Sequence, residues 1–177
     1  MDGSWLKLIV YGWDYDKYWN IRQQIYNPRM GKFKKKIYSA ILRWTNRRNS
    51  ADINFGYTEE DNFKSFPILP HGIRGIVIAS EAKIGRNCYI EHQVTIGRSG
   101  GCPTIGDNVF IGPGAKVFGN ITVGNNVRIG ANAVVFENIP DNATVVLQKP
   151  RVLIKSSDYH YDPQHKGFIQ NENTFLG

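Results

Sequence analysis

Residues 105–116 read Ile105-Gly-Asp-Asn-Val-Phe110 and then Ile111-Gly-Pro-Gly-Ala-Lys116, which is one six-residue pattern written twice. The pattern extends over residues 78–141, where ten units begin with Ile or Val and the fifth residue is usually small or β-branched. The unit that begins at Ile96 has nine residues, so three residues are inserted near Arg98–Cys102. Self-similarity at a fixed period indicates a repeat architecture.

A period of six matches neither an amphipathic helix nor the two-residue alternation of a simple strand. It indicates a short strand, a corner and another short strand. The β-branched residue points inward, and Gly or Asn takes the corner, where φ is positive. Three units close one triangular coil, and successive coils stack about 4.8 Å apart. The sequence therefore predicts a mainly β protein built on a parallel β-helix of hexapeptide repeats.

The composition is that of an ordinary globular protein, with 177 residues of which 41% are hydrophobic and 21% charged. The net charge of +7 is uneven: residues 1–50 hold 11 Lys and Arg against 3 acids, whereas residues 51–177 hold 11 against 12. This asymmetry argues against a uniformly basic nucleic-acid-binding surface, so no nucleic-acid partner is expected.

A cytoplasmic protein is expected from three features of the sequence. It has only two cysteines, no signal peptide pattern and no apolar run long enough to span a membrane.

Three regions are predicted along the chain: a basic α-helical region over 1–50, the β-helix over 51–154, and a polar C-terminal tail over 155–177. In the first region, apolar residues recur at helical spacing on either side of Asn27-Pro28, as Trp13, Tyr18, Ile21 and Ile25 and then as Phe33, Ile37, Ile41 and Trp44.

Two roles are open for these helices. Their apolar faces could form an α-helical cap over the open end of the β-helix, since a solenoid otherwise exposes backbone edges. Alternatively, the lysine-rich second helix could contact an anionic membrane or an acidic substrate.

The segment Leu69-Pro-His-Gly-Ile-Arg-Gly-Ile-Val-Ile78 resembles the histidine-bearing segment of serine acetyltransferases and of acetyltransferases from capsule and exopolysaccharide gene clusters. Residues 111–116 and 129–135 resemble the same enzymes. Over about residues 50–153 the chain is therefore similar to the hexapeptide-repeat acetyltransferase superfamily. The resemblance implies left-handed coils, acetyl-CoA as the acetyl donor, and a homotrimer.

Acetyl transfer to a hydroxyl needs a base, for which histidine is suited near neutral pH. The resemblance implies that His71 is this base, and that Asp52, in an Asp-Ile pair, orients it. His92 begins a segment that is common in the capsule-type enzymes, so it is a candidate second active-site group. The two remaining histidines, His160 and His165, lie in the polar tail.

Coenzyme A is expected in the groove between two β-helices of the trimer. The resemblance places contacts at Gly112, Gly130 and Ala131, although glycines also serve the corners. Lys149 and Arg151 follow the last coil and could contact the phosphates of coenzyme A, or could simply be exposed cations. No metal is expected, because the repeats offer only two histidines as ligands.

Serine acetyltransferases carry a second catalytic histidine in an Arg-His-Pro run after the inserted loop, whereas this chain has Gly101-Cys102-Pro103 there. This departure and the short N-terminal region weaken serine as the acceptor. They favour an acetyl-CoA-dependent O-acetyltransferase that acts on a sugar in capsule or exopolysaccharide biosynthesis. The alternatives are a serine O-acetyltransferase and a non-catalytic trimeric scaffold.

Cys102 is a weak candidate nucleophile, since the sequence implies no base beside it.

Overall fold

The computed structural model describes residues 12–55 and 60–157. Two helices, α1 (Tyr15–Tyr26) and α2 (Lys32–Arg48), precede twelve short strands within these residues. The strands are β1 (Asp52–Ile53), β2 (Val77–Ile78), β3 (Lys83–Ile84), β4 (Tyr89–Ile90), β5 (Thr95–Gly97), β6 (Thr104–Ile105), β7 (Phe110–Ile111), β8 (Lys116–Phe118), β9 (Thr122–Val123), β10 (Arg128–Ile129), β11 (Val134–Val135) and β12 (Thr144–Val145).

The strands form three parallel sheets, in the orders β1-β2-β5-β8-β11, β12-β10-β7-β4 and β3-β6-β9. Consecutive strands from β2 to β11 lie in different sheets, so the chain turns a corner after each strand and returns to the same sheet one coil later. The register places the first residue of one unit over the first residue of another, as where Ile78 pairs with Ile96 and Ile96 with Val117. The predicted parallel β-helix is confirmed.

The core is a column of inward-facing side chains from the first and fifth positions of the units. These positions are almost all buried, including Ile84, Cys88, Ile90, Val94, Ile96, Val109, Ile111, Ala115, Val117, Val123, Val127 and Ile129. Each fully buried aliphatic side chain contributes about 1.5–3 kcal/mol relative to an exposed one. The β-branched and small residues of the repeat therefore specify both the core and the width of the coil.

One corner of the coils is a ladder of asparagines in the left-handed conformation. Asn87, Asn108, Asn126 and Asn142 have φ values of 53°, 58°, 57° and 61°. The side-chain amides of the first three donate to the side-chain carbonyl of the asparagine one coil on, at 2.9 Å from Asn87 to Asn108, 3.2 Å from Asn108 to Asn126 and 3.0 Å from Asn126 to Asn142. Asparagine tolerates this conformation better than other non-glycine residues, so the ladder both permits the corner and joins the coils.

Helix α1 packs over the first coil. The Asp14 carboxylate caps its start by accepting from the Lys17 N–H at 2.9 Å, and the helix ends just before Asn27-Pro28, as predicted. Trp19 is fully buried and stacks on the Phe66 ring at 5.2 Å. The predicted helical cap is therefore present, with the apolar side of α1 as its inner surface.

Helix α2 is buried on a different side from the one its apolar spacing predicts. Its buried residues are Leu42, Thr45 and Asn46, whereas Phe33, Ile37 and Trp44 are 79%, 44% and 43% exposed. The expectation that this apolar stripe covers the β-helix is wrong, because polar contacts anchor the other side of the helix. Asn46 donates to the Ile53 carbonyl at 3.1 Å and accepts from the Tyr18 hydroxyl at 2.9 Å.

The chain divides into two compact units, residues 1–147 and 148–177. Helices α1 and α2 and all twelve strands lie in the first unit, and the three regions expected from the sequence stay a prediction. In the second unit, residues 148–157 contain no helix or strand and are exposed. Most of the predicted tail, including His160 and His165, lies outside the described residues. Neither α1 nor α2 has the length and hydrophobicity needed to span a bilayer.

We expect Asn108→Ala to destabilise the β-helix by about 1–3 kcal/mol, because alanine is strained at positive φ and removes two rungs of the ladder. Asn108→Gly should cost less, since glycine adopts this conformation freely. Urea unfolding followed by circular dichroism measures both variants. Equal stability of the alanine variant and the parent protein would contradict this account of the corner.

Candidate active site

His71 lies in a turn between β1 and β2 that is held from several sides. Leu69 and Ile73 on either side of it are buried, and the Gly72 N–H donates to the Leu69 carbonyl at 3.1 Å. Gly72 has a φ of 66°, and a Cβ there would lie 3.1 Å from the Trp13 ring. The His71 side chain is 59% exposed and faces outward.

Backbone hydrogen bonds connect this turn to α2 and to the next coil. The Gly75 N–H donates to the Asn49 carbonyl at 3.0 Å, just after α2 ends. The Gln93 N–H donates to the Arg74 carbonyl at 2.9 Å. The position of His71 is therefore fixed relative to the residues that follow β4.

Glu91 and His92 follow β4 directly and precede the corner at Gln93, where φ is 59°. The Glu91 N–H donates to the Ile111 carbonyl at 3.0 Å, and the His92 carbonyl accepts from the Gly114 N–H at 3.0 Å. Both backbones are thus part of the coil ladder, which places their side chains next to the His71 turn.

Glu91 lies between two imidazoles. Its Oε2 atom is 3.5 Å from His71 Nε2 and 3.6 Å from His92 Nδ1. The two rings are edge to face, with centroids 5.1 Å apart and planes at 89°. Glu91 Oε2 and His92 Nδ1 are both shielded from solvent, and neither has a hydrogen-bond partner within 12–55 and 60–157. Catalytic hydrogen bonds are often long before substrate binds.

The two histidines open onto a cavity of about 710 Å³. This volume lies in the range of small-molecule sites. The guanidinium groups of Arg48 and Arg74 place positive charge at the edge of the cavity. The lining residues are Arg48, Asn49, Ser50, His71, Arg74, Gly75, His92 and Gln93.

Asp52 is not brought to this cluster. It lies on β1 and lines a separate cavity of about 320 Å³ with Arg43, Asn46 and Arg47. Within the described part of one chain, the carboxylate beside His71 is instead Glu91, and this corrects the expected pairing. The sequence carried a signal for it, because Glu91 occupies the second place of its unit, where glycine stands in six of the ten.

The predicted coenzyme A contacts have clear packing roles. A Cβ at Gly112 would lie 2.8 Å from the Ala131 nitrogen, and one at Gly130 would lie 3.0 Å from the Val145 carbonyl oxygen. The next coil therefore requires glycine at position 112 and leaves little room for a Cβ at position 130, whether or not a cofactor binds. Ala131 is exposed at a corner, so a ligand can approach the backbone there. The binding role of these three residues stays a prediction.

Lys149 and Arg151 belong to the second compact unit and are exposed. Their predicted contact with coenzyme A phosphates also stays a prediction.

The histidine cluster contains a set of three possible metal ligands that the repeat pattern does not predict. One donor atom each from His71, Glu91 and His92 lies within 4.8 Å of the others, so these side chains could hold a metal ion. The missing third ligand is therefore a carboxylate rather than a histidine. The expectation that the protein uses no metal stays a prediction.

Cys102 lies in the inserted loop beside an acid. Its Sγ is 3.9 Å from Glu81 Oε2, and Glu81 also pairs with Arg98 at 3.1 Å. Burial and the negative charge of Glu81 raise the pKa of the Cys102 thiol. Burial raises the pKa of the other cysteine, Cys88, to about 11. Both environments favour the thiol over the thiolate, so neither cysteine is an activated nucleophile.

A family model described as bacterial transferase hexapeptide (six repeats) matches residues 102–137. A serine acetyltransferase from Synechococcus elongatus is 44% identical over 93 residues, which cover 50% of this chain and 38% of that relative.

Solved structures of serine acetyltransferases are also similar to the chain. Isoform 3 from Entamoeba histolytica, in complex with cysteine, matches with a TM-score of 0.66 and 28% identity, over 85% of this chain and 54% of that one. A serine acetyltransferase in complex with CoA matches with a TM-score of 0.58 and 26% identity, over 73% and 51% of the two chains.

Repeat, fold and matches together define a hexapeptide-repeat protein. Residues 102–137 match the bacterial transferase hexapeptide repeats, and the chain is similar in sequence and fold to serine acetyltransferases. It spans about two fifths to just over half of the length of these similar serine acetyltransferases.

The prediction of a sugar acceptor in capsule or exopolysaccharide biosynthesis is wrong. The similar proteins are named serine acetyltransferases, and solved examples similar to the chain contain serine or cysteine. Cys102 stands where serine acetyltransferases carry a histidine, which argues against serine as the acceptor. This difference affects one loop position, however, whereas the similarity extends over the repeats.

We expect the Cys102 thiol to react as an ordinary thiol, because its environment does not activate it. Since its pKa is raised, alkylation by iodoacetamide should be slow at neutral pH and should accelerate in alkaline solution as the thiolate forms. Mass spectrometry of labelled Cys102 across pH measures this rate. Rapid labelling at neutral pH would instead indicate an activated thiol and would contradict this account of Cys102.

Proposed function

We propose that this chain is an acetyl-CoA-dependent serine O-acetyltransferase, which transfers an acetyl group to the hydroxyl of L-serine. The observation that carries the proposal is the contact of His71 and His92 with Glu91 at the edge of a cavity of about 710 Å³. The similar serine acetyltransferases support serine as acceptor, and the one in complex with CoA supports the donor.

The position of Glu91 determines which nitrogen of His71 acts as base. An ionised carboxylate only accepts hydrogen bonds, so the imidazole nitrogen that faces it carries the proton. For His71 this is Nε2, 3.5 Å from Glu91 Oε2. Its Nδ1 atom is then unprotonated in the neutral ring and can accept the proton of the substrate hydroxyl.

In the proposed reaction, His71 Nδ1 takes the hydroxyl proton as the serine oxygen bonds to the thioester carbonyl carbon. The carbon–sulfur bond then breaks, and His71 returns the proton to the departing sulfur of coenzyme A. Glu91 stabilises the His71 imidazolium between these steps by its opposite charge. General base catalysis of this kind contributes about 10²–10⁴ in rate.

His92 faces the same carboxylate through Nδ1, at 3.6 Å. We place it in the site as a second group that contacts the acceptor, since it lines the cavity beside His71. It supplies a second imidazole from the same chain, although the loop position occupied by Cys102 lacks one.

Arg74 is the proposed partner of the serine carboxylate. It is exposed, lines the cavity, and is three residues from the catalytic base. Arginine binds carboxylates through two parallel hydrogen bonds, which fixes their orientation. Arg48 also lines the cavity, but its guanidinium packs over the Trp44 ring at 5.5 Å. Arg74 is therefore the better candidate for direct binding.

The proposal includes a homotrimer, as the family resemblance implies, with coenzyme A in the groove between two β-helices. Gly112, Gly130 and Ala131 are the proposed contacts with its pantetheine arm, and Lys149 and Arg151 with its phosphates. Arginine and lysine side chains bind phosphate through charge-assisted hydrogen bonds.

We expect His71→Ala to lower kcat/KM for L-serine by about 10²–10⁴, because the variant lacks the base. Glu91→Gln should lower kcat about 10- to 100-fold with little change in KM, because an amide supports the imidazolium less well. Release of coenzyme A with L-serine as acceptor measures both effects.

His165→Ala, in the C-terminal tail, is the matched control and should retain full activity. Circular dichroism checks that each variant is folded. If the parent protein binds coenzyme A but acetylates no L-serine, the proposed acceptor is wrong. If it does not bind coenzyme A, a non-catalytic scaffold is favoured.

Arg74→Gln should raise KM for L-serine about 10- to 100-fold, since a hydrogen bond to a charged group contributes about 1.5–3 kcal/mol. KM for acetyl-CoA should not change, and Arg74→Lys should restore part of the affinity. Initial-rate kinetics with each substrate varied in turn measure the split. Arg86→Gln, at an exposed corner, is the charge-matched control, and an equal rise in KM for it would exclude a specific role for Arg74.

A further inference from the structure

Helix α2 presents an apolar stripe to solvent. Phe33, Ile37 and Trp44 are spaced by four and seven residues, which places them on one side of a helix with 3.6 residues per turn. All three are exposed. The stripe runs for about 16 Å along the helix at 1.5 Å per residue. None of the three lines the cavity at His71.

Cations flank this stripe on both sides. Lys36, Arg43 and Arg47 lie on one flank, and Lys34 lies on the other. The helix contains seven Lys or Arg residues and no Asp or Glu among its 17 residues. Its first six residues, 32–37, are exposed except for Lys35, which is partly buried.

The opposite side of α2 is firmly attached to the protein. Leu42 and Thr45 are fully buried, and Asn46 is hydrogen-bonded to Tyr18 and to the Ile53 carbonyl. The helix is therefore ordered before any partner binds, so binding does not have to supply the cost of folding it. The exposed side is a preformed surface with apolar residues in the centre and positive charge around them.

We propose that this side of α2 binds the surface of a bilayer that contains anionic lipids. Aromatic and aliphatic side chains of such a helix insert at the boundary between headgroups and acyl chains, while lysines and arginines contact the headgroups. A protein partner fits less well, because lysine is depleted in protein interfaces. The binding is peripheral and does not depend on the proposed acetyl transfer.

The test is co-sedimentation of the full-length protein with vesicles of phosphatidylcholine alone or mixed with phosphatidylserine. The protein should bind the mixed vesicles, and binding should fall as salt rises, because salt screens the headgroup charge. The triple variant Lys34→Gln, Lys35→Gln, Lys36→Gln and the double variant Phe33→Ser, Ile37→Ser should each bind at least about tenfold more weakly.

The matched control removes three exposed cations from the β-helix, as Lys64→Gln, Lys83→Gln and Arg86→Gln, and should bind like the parent. His71→Ala should also bind like the parent, which separates this test from that of the enzymatic proposal. An equal loss of vesicle binding in the control variant would show that only net charge matters, and this would overturn the proposal. Absence of binding by the parent protein would also overturn it. A lower oligomer mass for Phe33→Ser, Ile37→Ser without vesicles would overturn it as well, because the stripe would then be a protein interface.

Discussion

Every coil of this protein depends on backbone corners in the left-handed conformation. Without them the chain could not turn three times within a coil and return in register on the previous one. Asn87, Asn108, Asn126 and Asn142 meet this constraint at one corner, and their amides connect the coils in a ladder. Most of these corners fall at the fourth place of the unit, as at Asn108 and Gly114, so the same positions of the repeat face inward in successive coils.

The candidate active site also depends on backbone corners with positive φ. Glu91 and His92 precede a left-handed corner at Gln93, and His71 lies in a turn with positive φ at Gly72 and Gly75. The coil ladder fixes one side of the cluster, and the hydrogen bond from Gln93 to Arg74 fixes the other. Rigid backbone thus holds two imidazoles against one carboxylate, which is the kind of support that a base and its orienting acid require.

Helices α1 and α2 pack against the protein in different ways. Helix α1 covers the end of the solenoid with aromatic side chains, and fully buried Arg22 pairs with Asp61 at 2.9 Å. Helix α2 is anchored by Asn46, a polar residue, and leaves its apolar stripe in solvent. Helical spacing alone predicts which residues share a face, but it does not predict which face is buried. That choice depends on hydrogen bonds to residues distant in sequence, such as Tyr18 and Ile53.

The amino-acid sequence by itself determined the repeat, the inward residues and the corner asparagines, because each follows from the period within a few neighbouring residues. Only the tertiary structure decided that Glu91, rather than Asp52, lies beside His71, and that the apolar stripe of α2 is exposed. These features depend on which residues of different coils and helices become neighbours. The length of the turn before β2 and the packing of α2 decide which residues become neighbours. A six-residue period encodes neither of them.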